Sequence, residues 1–479
     1  MQWIESLDAV VNVLNNWLWS YVLIAMLLIL GLWFTVRTGF VQLRAVSEMA
    51  RLVTEGVGAK PRTGHISTFQ AFCVSTASRV GVGNIAGIAI AVVLGGPGAV
   101  FWMWVIATIG AATGFVESTL GQIYKVPKAG GGFLGGPAYY IRNVLGSKFF
   151  AGLFAVLISV TYGLIFNSVQ CNTMSLSIQT SWGIDPLYTG IAVAVLTAVV
   201  IFGGLVRVAR VVGIMVPFMA GAYILVAIFF TFMHIDKVPG VLTTIISSAF
   251  DFEAVYGAGF AMIVMTGIKR GLFSNEAGMG AIPNAASTAD ASHPVKQGLV
   301  QAFGVFFDTI IVCTASAMIV LVSSDWQSAG KTGIALVQHS LARELGVWMN
   351  HFISIVVLFF AFSSIIGNYF YGEVNMPFVS RHPIALNVYR VLVVLVTFSG
   401  AVLSLSTVWN LADLFMALMA LVNLVAITLL GKYAFAALAD YRRQQQAGIL
   451  DPEFDPRVLP DMRGIQAWPR HREEEIEQA

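Results

Sequence analysis

Long apolar segments recur along the whole chain and limit what it can fold into. A membrane-spanning helix needs roughly 20 mostly apolar residues, and eleven segments of this kind are present, at about residues 17–35, 67–94, 98–124, 150–182, 186–205, 212–234, 243–283, 298–323, 347–371, 386–405 and 408–430. Charged residues make up only 11% of the 479 residues, whereas a soluble domain carries about 25%. The sequence therefore predicts an all-α, polytopic membrane protein with eleven transmembrane helices, and it disfavours a soluble enzyme or a nucleic-acid-binding protein.

Lysine and arginine are concentrated in alternate loops, and this asymmetry predicts the orientation of the chain, because cytoplasmic loops carry the excess of these residues. The loops on the predicted cytoplasmic side and the C-terminal tail contain most of them, among them Arg37, Arg44, Arg51, Lys125, Lys128, Arg142, Lys296, Arg442 and Arg443. The opposite loops contain only Lys237, Lys331 and Arg343. With an odd number of spans, we expect the N-terminus outside the cell and the C-terminus in the cytoplasm.

The second apolar segment is interrupted by glycine. Gly81, Gly83 and Gly87 lie in its middle together with Arg79 and Asn84. Each glycine costs a helix about 1 kcal/mol relative to alanine, and a broken helix in lipid must find new partners for its backbone N–H and C=O groups. The pattern favours an unwound segment whose backbone binds a ligand. The alternative is close packing of helices through small residues.

The seventh apolar segment is interrupted in a similar way between residues 266 and 283, where glycine and asparagine accompany charged residues. Two places for the break are compatible with the sequence, residues 266–271 and residues 274–280. In the alternative interpretation, Lys269 and Arg270 end one helix and the residues after them form a cytoplasmic loop.

The two interrupted segments occupy corresponding positions in two halves of the chain. Five spans run from the second to the sixth and five from the seventh to the eleventh, and an odd number of spans places the two sets in opposite orientations. This five-plus-five inverted repeat is typical of secondary transporters, whose binding site lies where the two broken helices meet. We therefore divide the chain into an N-terminal helix with a cytoplasmic loop, two repeats, and a soluble, partly disordered C-terminal tail, at residues 1–66, 67–235, 243–430 and 431–479.

Such a centre suits a small solute that carries both a positive and a negative charge. The N-terminus of a half-helix offers N–H groups to a carboxylate, and unwound carbonyl groups bind a small cation such as sodium. A free amino acid has the matching carboxylate and ammonium groups, and Val82, Phe166 and Phe273 are candidates for a pocket around a small apolar side chain. The candidate substrate-binding residues are Gly81, Val82, Gly83, Asn84, Phe166, Gln170, Thr266, Gly267, Phe273 and Ser274.

Several polar residues inside the apolar segments admit two interpretations. Gln170 and Asn167 lie three positions apart on one helix face, so they either line the cavity or form hydrogen bonds between helices. The adjacent hydroxyl groups of Ser363 and Ser364 are suited to sodium, although serine in a membrane helix usually bonds to its own backbone.

Acidic residues inside the spans are costly and usually functional. We expect Asp308 and Asp413 to form hydrogen bonds between helices, and we expect Glu117 and Glu373 to belong to structural or gating ion pairs.

Several longer motifs resemble one known family. The chain is similar to the alanine or glycine:cation symporter family over roughly residues 15–435, and the motifs that carry the resemblance lie at residues 80–87, 95–104, 135–138, 269–280 and 371–373. The resemblance implies a LeuT-type fold with eleven helices and sodium-coupled uptake of alanine or glycine, including D-alanine in some members. Some members of the family use protons instead.

The resemblance also implies roles for individual residues. The substrate carboxylate would meet the backbone amides of residues 81–83, and Gln170 would face the solute. Carbonyl groups of two residues and hydroxyl groups of two serines would bind sodium, namely Ala77, Val80, Ser363 and Ser364. Two residues depart from the family pattern. Val82 replaces a common threonine or serine, and Asn368 replaces a frequent tryptophan, which enlarges the pocket and weakens the expectation of a strict preference for alanine.

Together these observations predict a secondary active transporter of the bacterial inner (plasma) membrane that imports a small neutral amino acid by sodium symport with alternating access. Its expected partners are the amino acid, sodium and the lipid bilayer, without nucleic acid. The alternative is a proton-coupled symporter, or a transporter of another small zwitterion, on the same scaffold. The sequence has no Walker loop, HExxH or GxSxG motif, so we expect neither an enzyme nor a cofactor besides the coupling ion. A channel is disfavoured because the polar residues cluster at one depth rather than along a pore.

Overall fold

The computed structural model describes residues 2–57, 65–128, 130–250, 259–323, 325–380 and 382–468, and these residues are mostly helical. Within them, seven helices are long and apolar enough to cross a membrane. This finding confirms the predicted polytopic membrane protein. Shorter apolar helices accompany these seven, at Ala86–Gly95, Pro186–Ile201, Val238–Ala249 and Ile384–Gly400.

The helices follow one another along the chain with short connections. Three of them contain a π-helical turn, at Leu18–Leu23, Thr161–Phe166 and Phe307–Cys313. In chain order the helices are α1 (Gln2–Trp17 and Ile24–Arg37), α2 (Val41–Arg44), α3 (Val46–Glu55), α4 (Thr68–Arg79), α5 (Ala86–Gly95), α6 (Gly98–Ile123), α7 (Pro137–Asn143), α8 (Lys148–Val160 and Asn167–Trp182), α9 (Pro186–Ile201), α10 (Gly204–Met233), α11 (Val238–Ala249), α12 (Gly259–Asn275), α13 (Ile282–Ala286), α14 (Pro294–Phe306 and Thr314–Val322), α15 (Gly333–Leu345), α16 (Trp348–Val379), α17 (Pro383–Gly400) and α18 (Leu405–Gln446). Two short strands, β1 (Val126–Pro127) and β2 (Phe133–Leu134), pair antiparallel.

The second and the seventh predicted spans are each divided in two. A short 3₁₀ turn at Val82–Asn84 separates α4 from α5. Residues 276–281 separate α12 from α13. The long apolar segment predicted at 243–283 also contains the end of α11, so it does not form one span.

Local signals in the sequence place several helix ends. Ser67 begins α4 with a capping box, because its hydroxyl accepts from the N–H of Gln70 (3.1 Å) while the Gln70 side chain accepts from the N–H of Ser67 (3.0 Å). At the other end of a helix, Gly183 takes the left-handed conformation (φ 67°) that ends α8. Asp185 then caps α9, which begins with proline.

The divided helices lie inside a ring of other helices. α6 packs against α12 and α14, and α8 packs against α16. By contrast, α9, α10 and α17 expose large apolar side chains such as Leu196, Phe229 and Leu395, as expected for surfaces that face lipid rather than water. The broken backbone is therefore surrounded by protein, where its polar groups can find partners.

Several of the loops that contain lysine and arginine contact one another on one side of the molecule. Tyr441 donates to Glu48 at 2.6 Å, and Lys125 donates to the carbonyl group of Ala289 at 3.1 Å. Ile66, just before α4, also pairs with Ala289. We call this side the basic face, and it comprises residues 38–57, 65–67, 124–128, 287–296 and 441–468.

The last helix is longer than the predicted span. α18 does not end near residue 430 but continues to Gln446, with Tyr433, Ala437 and Tyr441 buried. The chain then turns back and contacts the basic face. The acidic run at residues 473–475, part of the expected tail, lies outside the described residues.

Candidate functional site

The first break lies where the glycine-rich motif predicts it. α4 ends at Arg79, Gly81 is extended (φ −127°, ψ −155°), and the turn Val82–Asn84 leads into α5. A Cβ atom on Gly81 would collide with the hydroxyl group of Ser364, so only glycine fits at this close approach. The segment is therefore broken, and its glycines also provide the close packing that the alternative interpretation expected.

Side chains complete the hydrogen bonding of the first break. Asn84 Oδ1 accepts from the N–H of Gly81 at 3.3 Å, and Gln170 Oε1 accepts from the N–H of Val82 at 3.1 Å. Asn84 and Gln170 are both buried. The unwound amides thus meet side-chain oxygen atoms, and a ligand carboxylate is the same kind of acceptor.

The second break lies at residues 276–281, which is the second of the two predicted places. α12 is helical through Asn275. Glu276 (φ 59°), Gly278 (φ 92°) and Gly280 (φ 78°) then adopt the left-handed region before α13 begins at Ile282. Because residues 271–281 are buried, the alternative of a cytoplasmic loop after Arg270 is wrong.

One buried carboxylate on α6 holds the second break. The two oxygen atoms of Glu117 accept from the N–H groups of Gly278 and Gly280, each at 3.1 Å. Asn423 on α18 donates to Glu117 at 2.8 Å and to the carbonyl group of Gly278 at 2.9 Å. Within the described part of the chain, Glu117 takes part in no ion pair, so the predicted ion pair of Glu117 is wrong. This residue instead satisfies the unwound backbone.

The two breaks contact each other directly. Ser78 donates to Glu276 at 2.6 Å, and Asn84 donates to Ser274 at 3.3 Å. A Cβ atom on Gly83 would lie 2.6 Å from Phe273 Cδ1, so the turn and the end of α12 are in close contact. The structure therefore brings the two divided helices together at one place in the interior.

Most of the candidate substrate-binding residues surround this contact. Phe166 on α8 lies 4.6 Å from Phe273, measured between ring centroids. The side chain of Gln170 lies beside Gly81, at 3.0 Å from the place of a Cβ atom. The side chains of this cluster are almost completely buried, namely those of Val82, Asn84, Phe166, Gln170, Phe273 and Ser274.

Two candidate residues lie elsewhere. Thr266 and Gly267 lie nine or ten residues before the second break, which corresponds to about two and a half turns of α12, or roughly 14 Å along the helix. A Cβ atom on Gly267 would lie 2.7 Å from Trp102 Cβ, and one on Gly95 would lie 3.0 Å from Thr266 Cβ. Both residues therefore pack α12 against the end of α5 and the start of α6, and they are not brought together with the other candidates.

Of the candidate sodium ligands, Ser364 and Ala77 meet between α4 and α16, whereas the hydroxyl group of Ser363 faces α10. Ser364 donates to the carbonyl group of Ala77 at 2.7 Å and to that of Phe360 at 3.0 Å. Ser363 donates to the carbonyl group of Phe360 at 2.9 Å and contacts Met219 Sδ at 3.2 Å. Val80 directly follows the last residue of α4. A serine hydroxyl and a carbonyl oxygen that come from two helices are hard, neutral ligands of the kind that sodium binds.

Comparison with known proteins decides the family. The chain matches the sodium:alanine symporter family over residues 4–456. The chain belongs to this family. It is 49% identical to the probable sodium/glutamine symporter GlnT of Bacillus subtilis over 97% of either chain. It is 46% identical to the amino-acid carrier protein AlsT of Bacillus subtilis, over 98% of this chain and 99% of AlsT. The sodium/alanine symporter AgcS of Methanococcus maripaludis is 38% identical, over 88% of this chain and 94% of AgcS. The relatives are transporters rather than enzymes.

The acidic residues of this sodium:alanine symporter family member join its helices in three ways. Asp308 on α14 accepts from Asn84 and Ser274 and thereby connects both breaks. Asp413 on α18 pairs with Arg270 on α12, and Glu373 on α16 lies 3.5 Å from the guanidinium group of Arg390 on α17. These contacts confirm the predicted bonds of Asp308 and Asp413 between helices and the predicted ion pair of Glu373.

The structure adds Trp409, which the sequence did not place in the site, and it shows the partners of Asn368. The ring of Trp409 on α18 lies 4.7 Å from that of Phe273, measured between centroids. The guanidinium group of Arg270 lies 4.6 Å from the centroid of the Trp409 ring. An aromatic residue in a membrane helix carries no signal of its own, so Trp409 could not be singled out. Asn368 accepts from Ser78 at 2.7 Å and donates to Asn167 at 3.0 Å. Asn368 lies four residues after Ser364, so both side chains lie on one face of α16. This spacing could have indicated that Asn368 lies near the site.

Proposed function

We propose that this protein imports a small neutral amino acid, alanine in either stereoisomer or glycine, by sodium symport across the plasma membrane. The observation that carries the proposal is the contact of the two helix breaks around Gly81, where backbone amides, Gln170 and Ser364 converge. Membership in the sodium:alanine symporter family supports an amino-acid substrate and sodium as the coupling ion.

The substrate carboxylate is proposed to bind the amides of Gly81, Val82 and Gly83, in place of the Gln170 oxygen that accepts from Val82. A half-helix N-terminus stabilises a negative charge of this kind. The small side chain then lies against Phe166 and Phe273, whose rings are in contact. Because Phe273 lies directly against Gly83, the space on this side suits a methyl group or a hydrogen atom.

Sodium is proposed to bind the carbonyl groups of Ala77 and Val80 together with the hydroxyl groups of Ser363 and Ser364. The contact of Ser364 with Ala77 supports this set. The same hydroxyl group lies against Gly81, so ion binding and the shape of the carboxylate site share one side chain. Each sodium ion that enters at an inside-negative potential contributes about 2.3 kcal/mol per 100 mV, which is sufficient to concentrate a neutral solute.

The proposed scaffold has eleven transmembrane helices in a LeuT-type inverted repeat, which begins with α4–α5 in one half and α12–α13 in the other, after the additional helix α1. The grouping of the basic loops on one face supports the proposed orientation, with the C-terminus in the cytoplasm. Rocking of one set of helices against the other then exposes the site to each side in turn.

A longer neutral amino acid such as glutamine is the second candidate. Asn368 and Asn167 form an amide pair one helical turn away from Ser364 and Gln170, and a carboxamide side chain bonds well to such a pair. The similarity to a probable sodium/glutamine symporter supports this candidate.

For the coupling ion, a proton on Asp308 is the alternative to sodium, since Asp308 is buried between both breaks.

A binding experiment separates these candidates. Labelled alanine is bound to the purified protein in sodium chloride or choline chloride at two pH values, and unlabelled glycine, D-alanine and glutamine compete. We expect sodium-dependent binding with displacement by glycine. Displacement by glutamine alone would indicate the longer amino acid as the substrate. Binding that depends on pH but not on sodium would indicate the proton as the coupling ion.

A further inference from the structure

The chain does not leave the molecule after its last helix. Beyond Gln446 it turns at Gly448 (φ 83°), and the side-chain amide of Gln444 binds Glu453 through two hydrogen bonds, at 2.7 and 3.0 Å. We call residues 447–468 the C-terminal strap. Phe454, in the middle of the strap, is only 2% exposed, so the strap is packed against the protein and not merely adjacent to it.

The first attachment of the strap is the loop between α13 and α14. Phe454 N–H donates to the carbonyl group of Ser292 at 3.0 Å, and the Ser292 hydroxyl donates to the carbonyl group of Pro452 at 3.1 Å. Lys296 forms an ion pair with Asp451. The ring of Phe454 packs edge-on against that of His293, with 5.3 Å between centroids.

The second attachment is the end of α6. Trp468 donates to the carbonyl group of Gln122 at 3.0 Å, and the ammonium group of Lys125 lies 4.4 Å from the Trp468 ring. Trp468 also contacts Phe454, at 5.0 Å between ring centroids. The two attachments are therefore one continuous cluster of aromatic rings across the basic face.

The loop that the strap covers is also the place where both divided helices reach the basic face. α13 ends at Ala286, and Asp290 N–H donates to the carbonyl group of Ile66 at 3.0 Å. Ile66 lies just before the start of α4, and His65 lies 3.5 Å from the Asp290 carboxylate. The basic-face ends of α4 and α13 are thus joined to each other beneath the strap.

On this basis, which rests on the proposed transport function, we propose that the C-terminal strap is a latch that restrains opening of the central site toward the basic face. In the proposed rocking motion, opening on this side moves the ends of α4 and α13 away from α18. The strap links these elements, because it continues α18 and is attached to the α13–α14 loop, which is itself joined to the residue just before α4. Its attachment to α6 adds a second restraint. Release of the strap therefore precedes release of the solute on this face.

The test uses the full chain with Trp468→Ala, which removes the side chain of the second attachment, and, separately, Asp451→Asn, which removes the ion pair of the first. Met462→Ala, an exposed residue of the same strap, is the matched control. Hydrogen exchange is measured by mass spectrometry in protein without sodium or substrate. We expect the backbone amides of residues 286–296 to exchange about tenfold faster in both variants than in the wild type. In the control they should exchange at the wild-type rate. Unchanged exchange, or acceleration that extends to α15 on the opposite side, would overturn the proposal.

The second readout is the initial rate of alanine uptake into proteoliposomes at equal protein content. A restraining latch predicts severalfold faster uptake by both variants with an unchanged half-saturation concentration. Uptake that is unchanged or slower would overturn the latch, since the strap would then not limit opening. If the wild type transports no amino acid, the proposed function fails, whereas hydrogen exchange still decides the role of the strap.

Discussion

Gly83 lies against the ring of Phe273, and this contact sets the size of the proposed pocket. Gly83→Ala places a Cβ atom 2.6 Å from Phe273 Cδ1, so the ring must move toward Phe166 or Trp409. We expect alanine binding to weaken about tenfold or more, equivalent to ~1.4 kcal/mol. The measurement is equilibrium binding of labelled alanine to the purified variant.

Gly213→Ala is the matched control for this substitution. It adds the same methyl group to a glycine in α10, where the nearest atom outside its own helix, Gln70 Cγ, lies 3.9 Å away. Equal loss of binding in both variants would show that any added methyl group disturbs the protein, and the proposed pocket would then lose its support.

Ser364 joins the proposed sodium site to the first break. Ser364→Ala removes the hydroxyl group that donates to Ala77, and sodium loses one oxygen ligand. We expect the sodium concentration for half-maximal uptake to rise about tenfold, with a smaller change in the maximal rate. Ser399→Ala, which removes a hydroxyl group bonded only to its own helix, should leave sodium dependence unchanged. An unchanged sodium requirement in Ser364→Ala would refute the assignment.

At the scale of elements, the second break depends on Glu117. Glu117→Gln keeps the shape of the side chain but replaces one acceptor oxygen with a donor, so it opposes the N–H group of Gly278 or Gly280. A hydrogen bond to a charged group contributes about 1.5–3 kcal/mol, and we expect the melting temperature to fall by several degrees. Glu373→Gln, whose partner Arg390 is nearer the surface, should lower it less. An equal decrease in both variants would contradict the role of Glu117.

The broken helices were predictable because glycine inside an apolar segment weakens a helix and permits an irregular backbone. Three glycines around Asn84 located the first break, and the structure places it within that motif. The second break was predictable only to within two places, since Glu117 holds it through Gly278 and Gly280, which lie 161 and 163 residues away in the sequence. Distant contacts of this kind have no local pattern.

The ends of elements were less predictable where apolar residues face protein rather than lipid. α18 passes residue 430 because Tyr433, Ala437 and Tyr441 are buried against other parts of the chain, although Lys432 interrupts the apolar run. A search for continuous apolar segments does not register such a helix. Thr266 and Gly267 were predicted to bind the substrate but pack helices together instead. A glycine inside an apolar segment also allows close packing between helices, so its presence alone does not indicate a binding site.

At the scale of the whole molecule, the basic face should respond to acid. Burial lowers the pKa of His293 below its usual range, although Asp440 opposes the shift. Because the unfolded residue binds a proton near pH 6.5 and the folded one only at lower pH, stability should be lost as pH falls below about 6.5. We expect the melting temperature to decrease between about pH 7 and pH 5.

His293→Gln isolates the contribution of His293 and its partner Asp440, because titratable groups that do not contact His293 titrate equally in both proteins. The variant should be less stable at neutral pH and less sensitive to acid than the wild type. An identical slope of melting temperature against pH in the two proteins would contradict the account of His293.

We propose that a sodium gradient drives an amino acid through the site where the two breaks meet. The most direct test is uptake of labelled alanine, glycine and glutamine into proteoliposomes with an inward sodium gradient, compared with equal sodium on both sides. We expect alanine or glycine to accumulate above the external concentration only when the gradient is present. We expect this accumulation to be lost in Gly83→Ala. Equal uptake with and without the gradient, or no uptake of any of the three, would contradict it.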